Sequence, residues 1–332
     1  MNLNKTLRSV GILGTGSSLP EKIITNYDLE KIVDTSHEWI VTRTGIHSRR
    51  IADDNTATSD LATEAALKAL KAANVKAQEI DLIIVATVTE DMAFPATACI
   101  VQDNIGAVGA AAFDLSAGCS GFLYELAVAK QFIAAGVYNK VLIIGAETLS
   151  KVMNWNDRNT CVLFGDGAGA AVLGPTEEGS GILSTHLGAN GEGGKFLTLP
   201  AGGSRMPASV ETVEQNLHYI KMDGSEVFKF AVRAMGNAAK KALELCDLGV
   251  EDIDYLVPHQ ANTRIIAAAA KRLKLPIEKV YVNLDKYGNM SAASIPVALD
   301  EAVRNGKIKK GDNLVLVGFG AGLTWGSCVI KW

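Results

Sequence analysis

Aromatic residues are scarce in this chain, and charge is nearly balanced. Phe, Trp and Tyr make up 6% of the 332 residues, which excludes rows of stacking rings for single-stranded nucleic acid. Lys and Arg (32) almost match Asp and Glu (36), for a formal net charge of −4. No global field therefore draws the chain to nucleic acid or to an anionic membrane. No apolar run reaches the ~18 residues of a membrane span, and the opening MNLNKTLRSVGILGTG has no long apolar core of a secretion signal. The five cysteines, Cys99, Cys119, Cys161, Cys246 and Cys328, are odd in number and form no CxxC pair. That argues against a disulfide framework and against a metal site. The chain reads as cytoplasmic with reduced thiols. Four of the cysteines are expected to be small buried hydrophobes; Cys119 stands apart.

What is present is apolar bulk and glycine. Apolar residues reach 48% against 20% charged, the profile of a globular protein with a substantial core. The chain also repeats itself. EIDLIIVATV (79–88) resembles DIDYLVPHQA (252–261), KVLIIGAE (140–147) resembles NLVLVGFG (313–320), and AALKAL (65–70) resembles AAKKAL (238–243). Ile80 to Ile253, Gly145 to Gly318 and Ala65 to Ala238 share one offset of 173 residues. A common offset favours an ancestral duplication, with halves 1–173 and 174–332. Each half reads as an α/β unit: LIIVATV, VLIIGA and NLVLVGF are buried strands, and alanine-rich amphipathic segments such as LATEAALKALKAANV are helices. Two such halves are expected to pack as one layered body.

DLSAGCSGFLYELAVAKQFIAAG sets Cys119 between Gly118 and Gly121, where an apolar segment turns into a helix. A packing cysteine needs no such corner; a nucleophile does. A helix N-terminus is expected to lower the thiol pKa. Adding 173 to Cys119 gives Ala292, in YGNMSAASIP. The Cys119 and Asn289 turns are thus counterparts expected to face each other, with His259 of VPHQAN after the equivalent of LIIVATV.

DLSAGCSGF, VPHQANTRI, KYGNMSAASIPVALDEA and GFGAGLTWGS, with HEWIVTRTGI, AFPATAC and LFGDGAGAAVL, closely resemble the β-ketoacyl-acyl-carrier-protein synthase III family of the thiolase-like superfamily, from about residue 8 to 332. The resemblance implies an α/β thiolase-like fold of two pseudo-symmetric halves in an αβαβα body. It implies a decarboxylating condensation of an acyl-CoA primer with malonyl-acyl-carrier protein, starting type II fatty-acid synthesis, and a homodimer with no cofactor beyond the CoA thioester substrate. It assigns Cys119 as nucleophile and His259 and Asn289 as donors to the enolate oxyanion. Backbone N–H groups of Cys119 and Ala321 would serve the second oxyanion. At Ala321 the chain departs from the commoner glycine; a backbone donor needs no particular side chain. The resemblance places Trp39, Arg43 and Arg158 at coenzyme A, where an indole and a guanidinium stack on adenine and arginine pairs with phosphate. His37 replaces a commoner acidic residue there. It places Phe94 at the acyl pocket, across a dimer interface.

The carrier is acidic as a class, so docking needs a local basic patch. From Lys229 to Lys274 eight Lys and Arg face five Asp and Glu. Gln260, Ala261, Asn262, Thr263 and Arg264, with Lys229, Lys271 and Arg272, are the expected contacts. Other readings are a condensing enzyme of specialised metabolism with the same triad, a thioester hydrolase, and a non-catalytic acyl-CoA-binding relative, which would be expected to have lost one of the three. A degradative thiolase would need a second catalytic cysteine, and Cys328 lies outside the glycine turn. GILGTGSS, GDGAGAA and GFGAGL complete no dinucleotide fingerprint and no Walker loop.

Overall fold

The computed structural model describes residues 7–332. The first sheet is built from β1 (Val10–Ser18), β2 (Leu82–Ala86), β3 (Ala111–Leu115), β4 (Val141–Thr148) and β5 (Asp166–Pro175), in the order β1-β5-β4-β2-β3. β2 is parallel to both β3 and β4, while β5 runs antiparallel to β4 and β1. The second sheet comprises β6 (Gly181–Ala189), β7 (Tyr255–Pro258), β8 (Asn313–Gly320) and β9 (Thr324–Lys331), in the order β7-β8-β9-β6. β2 and β4 are buried at every position, as expected of strands covered on both faces.

Helices supply those covers. Helix α1 (His37–Thr44) lies outside the layers, at the site described below. On α2 (Thr58–Ala73), Leu61, Ala62, Ala65, Ala66, Ala69 and Leu70 form one apolar stripe against Ile83, Val85 and Leu142 of the first sheet. The helix ends at Asn74 in the left-handed region, φ 53°, as its sequence suggests. After α3 (Thr97–Asn104) come two helices that fill the space between the sheets, α4 (Gly121–Ala134) and, far along the chain, α7 (Ser294–Arg304). Phe122, Leu126, Ile295 and Leu299 join one core with Ile84 and Ile143 of the first sheet and Leu314 and Leu316 of the second. Helices α5 (Gly224–Glu244) and α6 (Thr263–Leu273) cover the outer face of the second sheet, where Ala231, Met235 and Ala239 meet Val315, Val317 and Val329. The order is helix, sheet, helix, sheet, helix.

The 173-residue offset recurs in the strand registers. Leu82 pairs with Val141 across β2 and β4, and Tyr255 with Leu314 across β7 and β8. The 3₁₀ turns Gly118–Ser120 and Ser291–Ala293 stand at the same offset, each leading into a central helix. Where a fifth strand would complete the second sheet, one parallel bridge joins Leu256 to Val280. The expected division after residue 173 falls inside β5, which continues to Pro175.

Candidate active site

Cys119 stands on the turn between β3 and α4. Gly118 before it has φ +54°, and a Cβ there would lie 2.6 Å from Ala321 N. At Gly320 a Cβ would lie 2.4 Å from Cys119 N. The two glycines thus let the backbones of Cys119 and Ala321 approach as no larger residue would. The approach is clamped by Thr324, whose Oγ1 lies 2.8 Å from both Ala117 O and Ser120 Oγ. The counterpart turn faces this one: a Cβ at Gly121 would be 3.4 Å from that of Ala292.

His259 follows β7 directly and its backbone N–H donates to Val317 O at 2.8 Å. The ring meets Phe319 edge-on, with centroids 5.5 Å apart. Burial holds its pKa down near 3, so the imidazole is neutral. Asn289 is fixed by its backbone, which bonds Leu163 O (2.8 Å) and Gly165 N (2.9 Å). Its Oδ1 accepts from Ser291 N–H at 2.8 Å. The acceptor end of the amide is thus engaged, and Nδ2 is the end left to donate.

Two cavities meet at Cys119. One, of about 380 Å³, is lined by Cys119, His259, Asn289 and Phe319 inside and by Trp39, Arg43 and Phe228 towards its mouth. The other, about 190 Å³, lies between Cys119, Gly118, Ser291 and Ala321 and the apolar Val88, Leu149, Leu199 and Ile220. The first has polar groups at both ends; the second is almost wholly apolar.

The thiol departs from expectation. Burial pushes the Cys119 pKa up to about 12; the Ser291 hydroxyl beside it pulls partly the other way, and the charge of Glu147 adds to the rise. Burial in this packed corner disfavours the thiolate. Sequence reasoning also passed over Glu147 and Ser291. Glu147, next to last on the otherwise apolar run of β4, is fully buried, and its Oε2 accepts from Thr89 Oγ1 (2.6 Å), Val88 N (3.2 Å) and Thr87 Oγ1 (3.3 Å). A carboxylate closing an apolar strand was the available signal. Ser291 holds φ 45°, a strained value for a residue with a side chain.

Among the other cysteines, Cys161 and Cys328 are buried as expected, whereas Cys246 is half-buried and Cys99 exposed.

Trp39 and Arg43, four residues apart on α1, share a face, and the Arg43 guanidinium lies 4.9 Å from the indole centroid. Arg158 comes from a different segment to the same ring, at 5.2 Å, while its Nη1 donates to Asp34 O at 2.8 Å. His37 stacks on Tyr27 with centroids 4.7 Å apart. Phe94 is 85% exposed and lines neither cavity of its own chain.

The expected carrier contacts divide. Gln260 is a correction: it is fully buried, with its amide bonded to Pro258 O, Tyr281 O and Asn283 N. A side chain so engaged is part of the frame and offers nothing to a docking protein. Ala261 is likewise buried, in the passage wall. Asn262 caps α6 by accepting from Arg264 N (2.8 Å) and donates to Arg43 O (2.9 Å). Thr263 donates to Thr44 O at 3.2 Å. Arg264, Lys271, Arg272 and Lys229 are exposed. Arg264 sits at the passage mouth, 5.5 Å from the Phe228 centroid. Arg272 donates to Asn237 Oδ1 of α5 at 3.0 Å, and Lys229 pairs with Glu226 at 2.7 Å.

The chain matches the family described as 3-Oxoacyl-[acyl-carrier-protein (ACP)] synthase III over residues 113–191 and that family's C-terminal part over 243–332. It is 69% identical over 324 residues to a β-ketoacyl-[acyl-carrier-protein] synthase III of Caldanaerobacter subterraneus subsp. tengcongensis, covering 98% of each chain. It is 66% identical over 322 residues to one of Clostridioides difficile, covering 97% of this chain and 98% of the relative. A crystal structure of such a synthase from Thermus thermophilus superposes with a TM-score of 0.91 at 51% identity, covering 97% of this chain and 99% of that one.

Proposed function

The chain belongs to the β-ketoacyl-[acyl-carrier-protein] synthase III family, and from that membership we propose that it condenses a short acyl-CoA primer with malonyl-acyl-carrier protein. The products are a β-ketoacyl-carrier protein, CoA and CO₂, and the reaction opens type II fatty-acid synthesis. The reading of a specialised-metabolite ketosynthase is not favoured, because the relatives at 69% and 66% identity bear the synthase III name.

One observation carries the reading: Cys119 lines both a cavity that reaches Trp39 and Arg43 and a second, apolar one. A primer thioester threaded down the passage puts its carbonyl at Cys119 and its acyl chain in the pocket. Sulfur attacks, CoA leaves, and the acyl group stays as a new thioester, still reactive. The backbone N–H groups of Cys119 and Ala321 are the donors for the tetrahedral oxyanion. Malonyl-carrier then enters by the emptied passage. Loss of CO₂ leaves an enolate, whose oxygen is served by the imidazole of His259 and by Nδ2 of Asn289. Neutral His259 suits this work, since a donor is needed there and a base is not. The enolate carbon attacks the acyl-cysteine and frees the sulfur.

The wider assignments follow the same logic. Trp39 and Arg158 would take adenine between them, Arg158 leaving the indole face it now covers, and Arg43 would meet phosphate. Asn262, Thr263, Arg264, Lys271, Arg272 and Lys229 form the carrier surface. The homodimer is proposed along β3, an edge strand whose Ala111 and Phe113 are exposed. Phe94 would then reach the acyl pocket of the second copy. The test is incubation with radiolabelled acetyl-CoA and peptide mapping. Label is expected on Cys119 and not on Cys119→Ala; label on Cys99 or Cys161 would overturn the reading.

A further inference from the structure

Glu147 has a second carboxylate oxygen that the frame does not use. While Oε2 takes the bonds from Thr87, Val88 and Thr89, Oε1 is buried and has no hydrogen-bond partner among the described residues. Ser291 Oγ is buried and likewise has none among them. The turn Ser291–Ala293 packs on both the Cys119 turn and β4, and Ser291 lines the apolar cavity together with Cys119. Two buried polar atoms left so are costly, and both belong to residues packed around the sulfur that must lose a proton.

We propose that Glu147 holds the Cys119 proton while the sulfur carries the acyl group, with Ser291 Oγ passing it between them. The proposal rests on the reading of Cys119 as nucleophile. In the first half-reaction the S–H bond of Cys119 breaks. Its proton moves to Ser291 Oγ as the Ser291 proton moves to Glu147 Oε1, and sulfur bonds the acyl carbon. The C–S bond to CoA breaks with its electron pair on the CoA sulfur, which leaves as thiolate and takes a proton from solvent. In the second half-reaction CO₂ departs, the enolate carbon bonds the acyl carbon, and the bond to Cys119 breaks with the pair on sulfur. The proton then returns from Glu147 through Ser291. One proton is consumed per turnover, the one CoA takes.

The surroundings suit this. Burial raises the Glu147 carboxyl to about 7, so both of its states are within reach at neutral pH. The groups facing it are Thr87, Val88 N–H and Thr89 after β2, Cys119 before α4, and Ser291 and Ala292 before α7. Cys119 is the titratable one. Asp166 on the neighbouring β5 pairs with Thr148, on the other face of the sheet, and is bonded to Ser150 and Ala52 N–H. Glu125 on α4 accepts from Ile144 N–H. His259 is neutral.

The deciding measurement is an infrared difference spectrum on acylation of the intact enzyme by ¹³C-acetyl-CoA, the label moving thioester bands aside. Acylation of Cys119 is checked by mass spectrometry in the same sample; its absence would fail the nucleophile reading instead. Acylated wild type is expected to gain the carbonyl stretch of a protonated carboxylic acid, and Glu147→Gln to lack it. Acylation without that band overturns the proposal. Iodoacetamide separates proton transfer from mere charge. If Glu147 were only a negative charge near the thiol, Glu147→Gln would alkylate faster at pH 7. As proton acceptor, its loss slows alkylation at least about tenfold, one pKa unit. Ser291→Ala, which keeps the charge and cuts the path, is expected to be slowed alike. Rates equal to or above wild type in both variants would contradict the proposal.

Discussion

A buried imidazole stays neutral, so in the proposed reaction His259 would bring a hydrogen bond to the oxyanion and no net charge. Losing one such donor costs about 3–4 kcal/mol, or ~10²–10³ in rate. His259→Ala and Asn289→Ala are each expected to lose that factor in decarboxylation of malonyl-carrier, read as CO₂ release. The buried titrations also set opposite pH trends in stability. His259 falls from 6.5 to about 3 on folding, so its contribution is complete above pH 6.5 and is lost as pH falls towards 3. Glu147 rises from 4.5 to about 7, so its contribution is complete below pH 4.5 and is lost as pH rises through 7. Urea unfolding of Glu147→Gln, whose amide does not titrate, should therefore gain on wild type between pH 4.5 and 7; a constant difference would refute the assignment. The convergence of Cys119, His259 and Asn289 on one cavity was legible because each sits in a glycine- or turn-marked motif at a strand end. Glu147 was not, because its role depends on which turn packs behind β4. The burial that raises the Cys119 thiol was not legible for a related reason: a sequence displays the helix start but not the depth of burial.

Helix α6 ties the mouth of the passage together. Asn262 caps it and also holds the backbone of Arg43. Asn262→Ala is expected to cost about 1 kcal/mol as a lost cap, seen in thermal unfolding, and to raise KM for acyl-CoA by loosening Arg43. An unchanged KM would confine Asn262 to capping. Arg264, two residues on, is exposed at the rim, and charges so placed act mostly on encounter rate. Arg264→Glu should weaken condensation with malonyl-carrier and flatten its salt dependence, with acylation by acyl-CoA changed much less. Equal losses in both half-reactions would assign Arg264 to the shared passage. The amphipathic spacing of TRIIAAAAKRL made this helix readable from sequence. The burial of Gln260 was not readable, because its bonds go to Tyr281 and Asn283, some twenty residues away.

At the scale of the molecule, two sheets with matching registers bring two turns, 173 residues apart, face to face between them. Three short likenesses at one offset were enough to read this, because strand pairing preserves register better than it preserves side chains. The shortening of the second sheet to four strands was not legible, since a strand and a single bridge differ by only a few hydrogen bonds. If β3 is a dimer edge, sedimentation velocity should report a dimer, and Phe113→Lys should shift it towards monomer. The central claim is that one nucleophile and one pair of donors serve two separate half-reactions. It is tested most directly by single-turnover kinetics of His259→Ala, first with labelled acetyl-CoA alone and then with malonyl-carrier added. The account predicts acyl-Cys119 in full stoichiometry, followed by no measurable CO₂ release on the wild-type timescale. A variant that is not acylated yet decarboxylates malonyl-carrier at the wild-type rate would contradict it.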